Sequence, residues 1–319
     1  MVNTRLYYCC DIHASNVCFR KILNATKLDL YKANVVIVGG DLTGKRIVPI
    51  AEQNDGSYTC DFLEKTHIMK SPEELADMKK LIGDSGFYPY LTVPEKVAEL
   101  RTNRTKFDAL INELILERMR EWMQLADERL AGLNVQFYML AGNDDDPRCG
   151  EIIRSSTCVK NPEGQVVSID NAHEMISSGA SNSTPWKTPG EFSEEELETM
   201  FEKMISTVKN PRNLILNLHV PPYDSGLDVA PKLNEQLQPV LVGGEFLHIP
   251  VGSTAVLKII QKYQPKLGLF GHIHESGGDV FIGKTLCINP GSEYSEGILR
   301  GYVVDLDDKH IKQFYRVEG

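Results

Sequence analysis

Two histidines, His272 and His274, stand on either side of one isoleucine directly after a short apolar run. In an extended chain the side chains of residues i and i+2 point to the same face, so both imidazoles would aim at one place. Glycines at 271, 277 and 278 allow the backbone to turn there without a side-chain clash. Imidazoles are common metal ligands, although a His-x-His pair also occurs in loops that bind nothing. The pair is therefore a candidate metal site that needs further ligands.

Four other apolar runs, which read as strands, are also followed by polar residues that could bind a metal. Asp11 and His13 follow the run RLYYCC, and Asp41 follows the run VVIVGG. Asn143 follows NVQFYMLAG, and His219 follows NLILNL. In open α/β sheets the functional crevice lies beyond the carboxyl ends of the strands. We therefore expect the residues at these strand ends to converge at one edge of the fold.

The convergent side chains form a mixed nitrogen and oxygen ligand set without thiolate. Such a set suits Mn²⁺, Fe, Zn²⁺ or Ni²⁺ better than Mg²⁺ or Ca²⁺. Seven ligands are too many for one open catalytic ion and about right for two. Two ions about 3.5–4 Å apart need a bridging group, and we predict that the Asp41 carboxylate provides it. The predicted ligands are Asp11, His13, Asp41, Asn143, His219, His272 and His274.

The order and spacing of these motifs resemble those of the calcineurin-like metallophosphoesterases. That family has D-x-H, G-D, G-N-H-D/E, a lone H and G-H-x-H, and this chain has the corresponding motifs in the same order. The stretches HVPPYDSG at 219–226 and NPGS at 289–292 are similar to family segments as well. The resemblance covers 1–44 and about 133–319. It implies an α/β fold arranged as a four-layer αββα sandwich.

The resemblance also implies a role for each ligand. Asp11, His13 and His274 would hold one divalent ion, and Asn143, His219 and His272 would hold the other, with Asp41 shared. A hydroxide held between the ions would attack phosphorus in line, while both ions neutralise the phosphoryl oxygens. The implied activity is that of a metal-dependent phosphohydrolase.

The chain departs from the family pattern at Asp144, where the family usually has a histidine that protonates the leaving group or binds the phosphate. Asp144 is our candidate catalytic acid, and the alternative is that it only orients its neighbours or is solvated. Asp145 matches the acidic position of the family. Without a strong general acid, esters with good leaving groups are favoured, which indicates a phosphodiesterase rather than a monoesterase.

Three cations stand close to these motifs. Arg148 follows Asp144 by four residues, and Lys45 and Arg46 follow the Asp41 loop. Arg148 is our candidate substrate-binding residue because it could reach a phosphate. The alternative for each of the three is a solvated surface cation.

Strand–helix units form the predicted framework. The runs at 5–10 and 35–40, with a helix over about 15–31 between them, form a parallel βαβ unit. Downstream, the predicted elements are a hairpin over 157–170 and helices over 192–208 and about 253–263.

Residues 45–132 are predicted to be a mainly helical insertion onto a core formed by 1–44 and 133–319. The insertion contains a hairpin, a helix that begins after Ser71, and a long amphipathic helix over about 95–131. It could be a cap over the site or a dimerisation arm, or its long helix could simply pack on the core.

Composition narrows the class of protein. The 319 residues are 42% hydrophobic and 24% charged, which is ordinary for a globular chain. The sequence has no apolar run of the roughly 18 residues that span a bilayer, and no secretory signal pattern. The seven cysteines form no disulfide-like pattern. We therefore predict a cytoplasmic protein with reduced thiols and no membrane association.

The net charge of −10 bears on the partners. Nucleic acids and anionic membranes attract basic surfaces, so long nucleic acids are disfavoured as partners. The expected partner is a small phosphoester substrate, and the insertion could mediate a homodimer.

Two rival functions stay open. Some relatives of this family keep the fold for partner recognition, so a non-catalytic protein-binding scaffold is one alternative. A complete set of seven ligands argues against that role, because a scaffold does not need it. A nuclease is the other alternative, and a steep salt dependence of binding to single strands would favour it.

Overall fold

The computed structural model describes residues 4–319, over which the chain forms a mixed α/β structure with 22 strands and seven α-helices. The strands, in chain order, are β1 (Thr4–Cys9), β2 (Val35–Gly39), β3 (Ile47–Glu52), β4 (Tyr58–Phe62), β5 (Lys65–Met69), β6 (Tyr88–Thr92), β7 (Gln136–Leu140), β8 (Val159–Lys160), β9 (Val166–Ser168), β10 (Glu174–Ser178), β11 (Ser181–Asn182), β12 (Glu191–Phe192), β13 (Leu214–Leu218), β14 (Val229–Pro231), β15 (Leu241–Val242), β16 (Glu245–Phe246), β17 (His248–Pro250), β18 (Leu267–Leu269), β19 (Gly278–Ile282), β20 (Thr285–Asn289), β21 (Arg300–Leu306) and β22 (Ile311–Glu318). The helices are α1 (Asn16–Lys27), α2 (Pro72–Asp84), α3 (Pro94–Thr102), α4 (Arg104–Leu130), α5 (Cys149–Arg154), α6 (Glu194–Ile205) and α7 (Thr254–Tyr263).

The first large sheet has six strands in the order β22-β21-β1-β2-β7-β8. Strands β1, β2, β7 and β8 run parallel, and β21 and β22 are antiparallel neighbours at one edge. Cys9 lies opposite Val38, and Gly39 lies opposite Leu140. The carboxyl ends of β1, β2 and β7 are therefore adjacent, as predicted for the first three motifs.

The second large sheet also has six strands, in the order β19-β20-β18-β13-β10-β9. Its four inner strands run parallel, and β19 and β9 pair antiparallel at the edges. Asn217 of β13 lies opposite Leu269 of β18. The residues that follow these two strands therefore leave the sheet side by side.

Three apolar clusters pack the sheets and their helices. One contains side chains from both sheets, such as Tyr8 of β1 and Ile215 of β13. A second contains Tyr7 and Cys9 of β1 together with residues of α1, α4 and α5. A third joins β13 to α6 and α7. Alternate residues of β1 thus face different clusters, which explains why the central strands are apolar without a polar face.

Two of the predicted helices begin at a serine cap. The Ser71 side chain accepts a hydrogen bond from the backbone N–H of Glu74 at the start of α2. Ser193 and Glu196 form a reciprocal capping box at the start of α6. These local signals predict helix starts well because the cap satisfies backbone groups of the helix's own first turn.

The predicted helix over 95–131 is in fact two helices. Asn103 leaves the helical conformation (φ −113°, ψ 93°) and caps α4 by accepting a hydrogen bond from Lys106 N–H. In the second half of α4, Trp122 stacks on Phe19 of α1, with ring centroids 4.3 Å apart. Helix α4 therefore belongs to the apolar layer that covers the first sheet.

The hairpin predicted over 157–170 is wrong. Strand β8 pairs with β7 in the first sheet, whereas β9 pairs with β10 in the second. The segment between them therefore crosses from one sheet to the other. Alternation of apolar residues predicts strands but not their partners, which tertiary packing decides.

The region 45–132 holds a four-stranded sheet in the order β5-β4-β3-β6. Strands β3 and β4 are the predicted hairpin, and β5 and β6 extend it. Helices α2, α3 and α4 make up the rest of the region. Among residues 4–319, none of the helices combines the length and apolarity needed to cross a bilayer.

Candidate metal centre

The seven predicted ligands lie in five loops that follow parallel strands. The loops after β1, β2 and β7 leave the first sheet, and those after β13 and β18 leave the second. Six of the seven residues form two groups whose potential ligand atoms lie within 4.8 Å of one another in each group. We name them the outer group (Asp11, His13, His274) and the inner group (Asp41, His219, His272).

The outer group has two imidazole nitrogens that face each other. His13 Nε2 lies 2.9 Å from His274 Nε2, and His274 Nε2 lies 3.5 Å from Asp11 Oδ1. A nitrogen that points at another nitrogen and a carboxylate is well placed to share a cation with them. Asp11 also accepts hydrogen bonds from the backbone N–H of His272, which ties the two groups together.

The inner group is centred on His219 and Asp41. His219 Nε2 lies 3.4 Å from Asp41 Oδ1 and 3.9 Å from Asp11 Oδ1. Asp41 Oδ2 lies 3.8 Å from His13 Nε2 of the outer group. The Asp41 carboxylate thus presents one oxygen to each group. The rings of His219 and His272 are 5.2 Å apart between centroids.

Asn143 contributes an oxygen without a partner. Its Nδ2 donates to Thr188 Oγ1 at 2.7 Å, and the next backbone N–H, that of Asp144, donates to Asp41 Oδ1 at 3.2 Å. Asn143 Oδ1 and His219 Nε2 are both buried and make no hydrogen bond. A buried polar atom without a partner is costly, so each of these atoms is suited to a ligand from outside the chain. The donor set fits divalent cations.

Opposite charges dominate the protonation of the inner group. Burial disfavours the charged form of His219, but the carboxylates of Asp41 and Asp11 outweigh burial and raise its pKa to about 10. Burial would raise the pKa of Asp41, yet the charge of His219 lowers it well below its ordinary value. Burial, aided by the charge of His219, lowers the pKa of His272 to about 4. In the absence of a metal, the proton on His219 therefore supplies the positive charge that a bound cation would supply to the Asp41 and Asp11 carboxylates.

Backbone carbonyls orient two of the imidazoles. His219 Nδ1 lies 3.0 Å from the carbonyl oxygen of Gly39, and His13 Nδ1 lies 3.2 Å from that of Thr43. Each Nδ1 donates its proton to the carbonyl, so Nε2 is the nitrogen that faces the site. Gly40, at φ 115°, allows this approach, because a Cβ there would lie 2.5 Å from His219 Nδ1.

Four of the candidate ligands have left-handed backbone conformations. The φ angles are 53° at Asp11, 38° at His13, 46° at Asp41 and 66° at His272. Such angles cost about 1–3 kcal/mol at non-glycine residues and cluster at functional sites. The strained turns direct the side chains at the strand ends towards one another.

Asp145 joins two of the ligand loops. Its carboxylate accepts hydrogen bonds from the backbone N–H groups of Leu42, Thr43 and Gly142, at 2.7–2.9 Å, and from the Thr43 hydroxyl at 2.6 Å. Burial, together with the charge of Asp41, raises the pKa of Asp145 to about 6. This side chain therefore fixes the Asp41 loop relative to the Asn143 loop.

The two remaining predicted site residues, Asp144 and Arg148, belong to neither group. The Asp144 carboxylate forms an ion pair with Lys45. Burial raises the pKa of Asp144, and the hydrogen bond from Lys45 opposes that shift. The Arg148 guanidinium, which is exposed, pairs with both carboxylate oxygens of Asp146 at 2.6 and 2.9 Å.

Sequence reasoning missed several residues that support the ligands. Thr188, which holds Asn143, is itself held by Glu191, and Gly190 N–H donates to Asn143 O. Ser292 Oγ donates to the carbonyl oxygen of Asp11 at 2.6 Å. The NPGS segment was the only sequence signal for Ser292. Thr188, Gly190 and Glu191 lie in no motif.

Comparison with known proteins adds one relative and a shared fold. No family model matches the chain. Two solved structures each align over 99% of both chains, one with a TM-score of 0.59 and 15% identity, the other, TT1561 of Thermus thermophilus, with 0.54 and 13%. At these identities they show a common fold alone. Uncharacterized protein MJ1162 of Methanocaldococcus jannaschii is 33% identical to the chain over 168 residues, which cover 51% of the chain and 68% of that protein. The chain belongs to the same family as MJ1162.

Proposed function

We propose that this chain is a calcineurin-like metallophosphoesterase that hydrolyses small phosphoesters, with phosphodiesters as the preferred substrates. The observation that carries the proposal is the position of the Asp41 carboxylate, which lies 3.4 Å from His219 Nε2 through one oxygen and 3.8 Å from His13 Nε2 through the other. The three apolar clusters support a four-layer αββα sandwich as the scaffold of the site.

In this proposal two divalent ions, drawn from Mn, Fe, Zn and Ni, would occupy the two groups. Asp11, His13 and His274 would hold one ion. Asn143, His219 and His272 would hold the other, with Asp41 shared. Asn143 Oδ1 and His219 Nε2, which are buried and make no hydrogen bond, support this assignment, because a cation would satisfy both atoms.

The ions would make a nucleophile available from water near neutral pH and neutralise the phosphoryl oxygens. The chain's own contribution is to position the ligands. Asp145 and the Gly39 and Thr43 carbonyls fix the Asp41 loop and the imidazoles, so that no reorganisation is needed when a phosphoester binds.

The preference for diesters rests on Asp144. As the candidate proton donor, Asp144 must carry a proton, and its burial favours that form. The Lys45 ammonium favours the ionised form. A leaving group of low pKa, such as the p-nitrophenolate of an activated diester, needs little protonation and would therefore depart more readily than an alkoxide.

The acidic balance of the chain bears on its partners. With a net charge of −10, the protein would take a small phosphoester in preference to long nucleic acid or a membrane surface. We further propose a cytoplasmic location, with residues 45–132 as the region through which two copies would associate.

The test is turnover of bis-p-nitrophenyl phosphate by the full chain with Mn²⁺, Fe²⁺, Zn²⁺ or Ni²⁺ added one at a time. We expect activity with at least one metal and a loss of about 1,000-fold or more in kcat/KM in Asp41→Asn, because this variant removes the charge that both ions share. Asp55→Asn is the matched control, since Asp55 lies in the exposed β3–β4 turn. Metal binding without turnover under any of these conditions would instead favour a scaffold.

A further inference from the structure

Tyr294 lies directly against the outer group. Its ring centroid is 4.7 Å from that of His13 and 6.1 Å from that of His274. The side chain is half-buried, and the residue begins a short 3₁₀ turn, Tyr294–Glu296. An aromatic ring in this position forms one wall of the space into which the two imidazoles point.

Hydrogen bonds that this segment donates to the ligand loops hold it in place. Two residues before Tyr294, Ser292 donates its hydroxyl to Asp11 O at 2.6 Å and its backbone N–H to His274 O at 3.2 Å. On the other side, Gly86 has φ 85°, and a Cβ there would lie 2.5 Å from His13 O and 3.0 Å from the Tyr294 ring. Three segments therefore meet around the phenol and determine its position relative to the ligands.

The Tyr294 hydroxyl is unused. It makes no hydrogen bond to any side chain or backbone group in the part of the chain that the structure describes. A phenol is protonated at neutral pH, so this hydroxyl is a donor without an acceptor. An anion that enters beside the outer group would meet this donor.

We propose that Tyr294 binds the substrate, donating a hydrogen bond from its hydroxyl to a phosphoryl oxygen of the phosphoester. The inference rests on the proposed function. The phenol would also supply a donor where the chain lacks the family histidine, because the ion pair with Lys45 favours the ionised form of Asp144, which only accepts hydrogen bonds. The substrate class is thus a phosphoester whose phosphoryl group carries an oxygen accessible from the outer group.

Tyr294→Phe is the decisive variant, because it keeps the ring that packs on His13 and removes only the hydroxyl. We expect kcat/KM for bis-p-nitrophenyl phosphate to fall by about 10- to 100-fold, as for loss of a hydrogen bond to a charged group. Mn²⁺ affinity, measured by calorimetry, should not change. Tyr315→Phe is the matched control, since Tyr315 lies on the edge strand β22 and is exposed.

Inorganic phosphate separates this inference from the proposed function. Its affinity for the Mn²⁺-loaded protein should fall in Tyr294→Phe by the same factor as kcat/KM, whether or not the wild type turns over an ester. If the wild type binds phosphate but hydrolyses no ester, the proposed hydrolase activity is wrong. The proposed contact between Tyr294 and phosphate is then still supported by the loss of phosphate affinity in Tyr294→Phe. Unchanged phosphate affinity and kcat/KM within twofold of wild type would overturn the role of Tyr294.

Discussion

The outer and inner groups use the same kinds of side chain in different surroundings. In the inner group the side chains of His219 and Asp41 are 0% and 6% exposed. In the outer group those of His13 and His274 are 12% and 33% exposed. The third members reverse this order, since Asp11 of the outer group is buried and His272 of the inner group is partly exposed. Protein therefore closes off His219 and Asp41, and a substrate can approach from the side of His13 and His274.

The surroundings of the two groups share one kind of support and differ in another. A backbone carbonyl orients one imidazole in each group, that of Gly39 on His219 and that of Thr43 on His13. The outer group has an aromatic wall, Tyr294, with a free hydroxyl. We infer that the inner group would hold its ion more firmly and that the outer group would present the second ion to the substrate.

Removing one imidazole from each group in the metal-free protein tests whether the two groups contribute differently to stability. His219→Ala leaves the buried Asp41 carboxylate without its counter-charge, and we expect the free energy of unfolding to fall by about 3–5 kcal/mol. His274→Ala removes a partly exposed side chain whose partner, Asp11, keeps the backbone N–H of His272, so we expect a loss of about 1 kcal/mol or less.

Urea unfolding in the presence of a chelator measures both values. His310→Ala, an exposed histidine distant in sequence from every ligand loop, is the control and should stay within about 0.5 kcal/mol of the wild type. Equal losses in the two ligand variants would mean that burial does not distinguish the groups.

The sequence predicted the ligand loops because their signals are local. An apolar strand that ends in Asp11 or Asp41 carries its own signal, and parallel strands bring their carboxyl ends to one edge regardless of what lies between them. The same reasoning predicted where α2 and α6 begin, since a cap such as Ser193 acts on its own helix.

What the sequence could not predict depends on contacts between distant segments. Thr188 and Tyr294 reach the site from loops without a motif, and only the folded chain brings them to Asn143 and His13. The division of 157–170 between two sheets is a similar case, because β8 and β9 are too short to specify their partners. Asn103 ends one helix and caps the next, and the continuous apolar pattern hides that break.

The pH dependence of metal binding depends on which histidines carry a proton in each group. In the metal-free protein the pKa of His219 is about 10, so an ion that enters the inner group must displace a proton. In the outer group burial lowers the pKa of His13, whereas the Asp11 carboxylate outweighs burial and raises the pKa of His274. We expect affinity for the inner ion to rise by up to about tenfold per pH unit from pH 7 to 9.

Calorimetry at pH 7 in buffers of different ionisation enthalpy would measure the protons released on metal binding, and His219→Asn should release about one proton fewer than the wild type. Stability of the metal-free protein should change in the opposite direction. A folded pKa raised above the unfolded value of about 6.5 contributes stability that is complete below pH 6.5 and is lost as the pH rises through 10. No proton release in the wild type would contradict the charge assigned to His219.

The variant with the smallest expected effect tests whether the substrate is also contacted from the side of the inner group. Arg148 follows the Asn143 loop and is held by Asp146, so it must leave that exposed ion pair to reach a phosphate. We expect Arg148→Ala to raise KM for bis-p-nitrophenyl phosphate by about two- to fivefold without changing kcat, because an exposed pair contributes about 1 kcal/mol or less. Lys160→Ala, which removes a cation from β8, serves as the control for net charge. An unchanged KM in Arg148→Ala, beside a large effect in Tyr294→Phe, would mean that the substrate is held from the outer group alone.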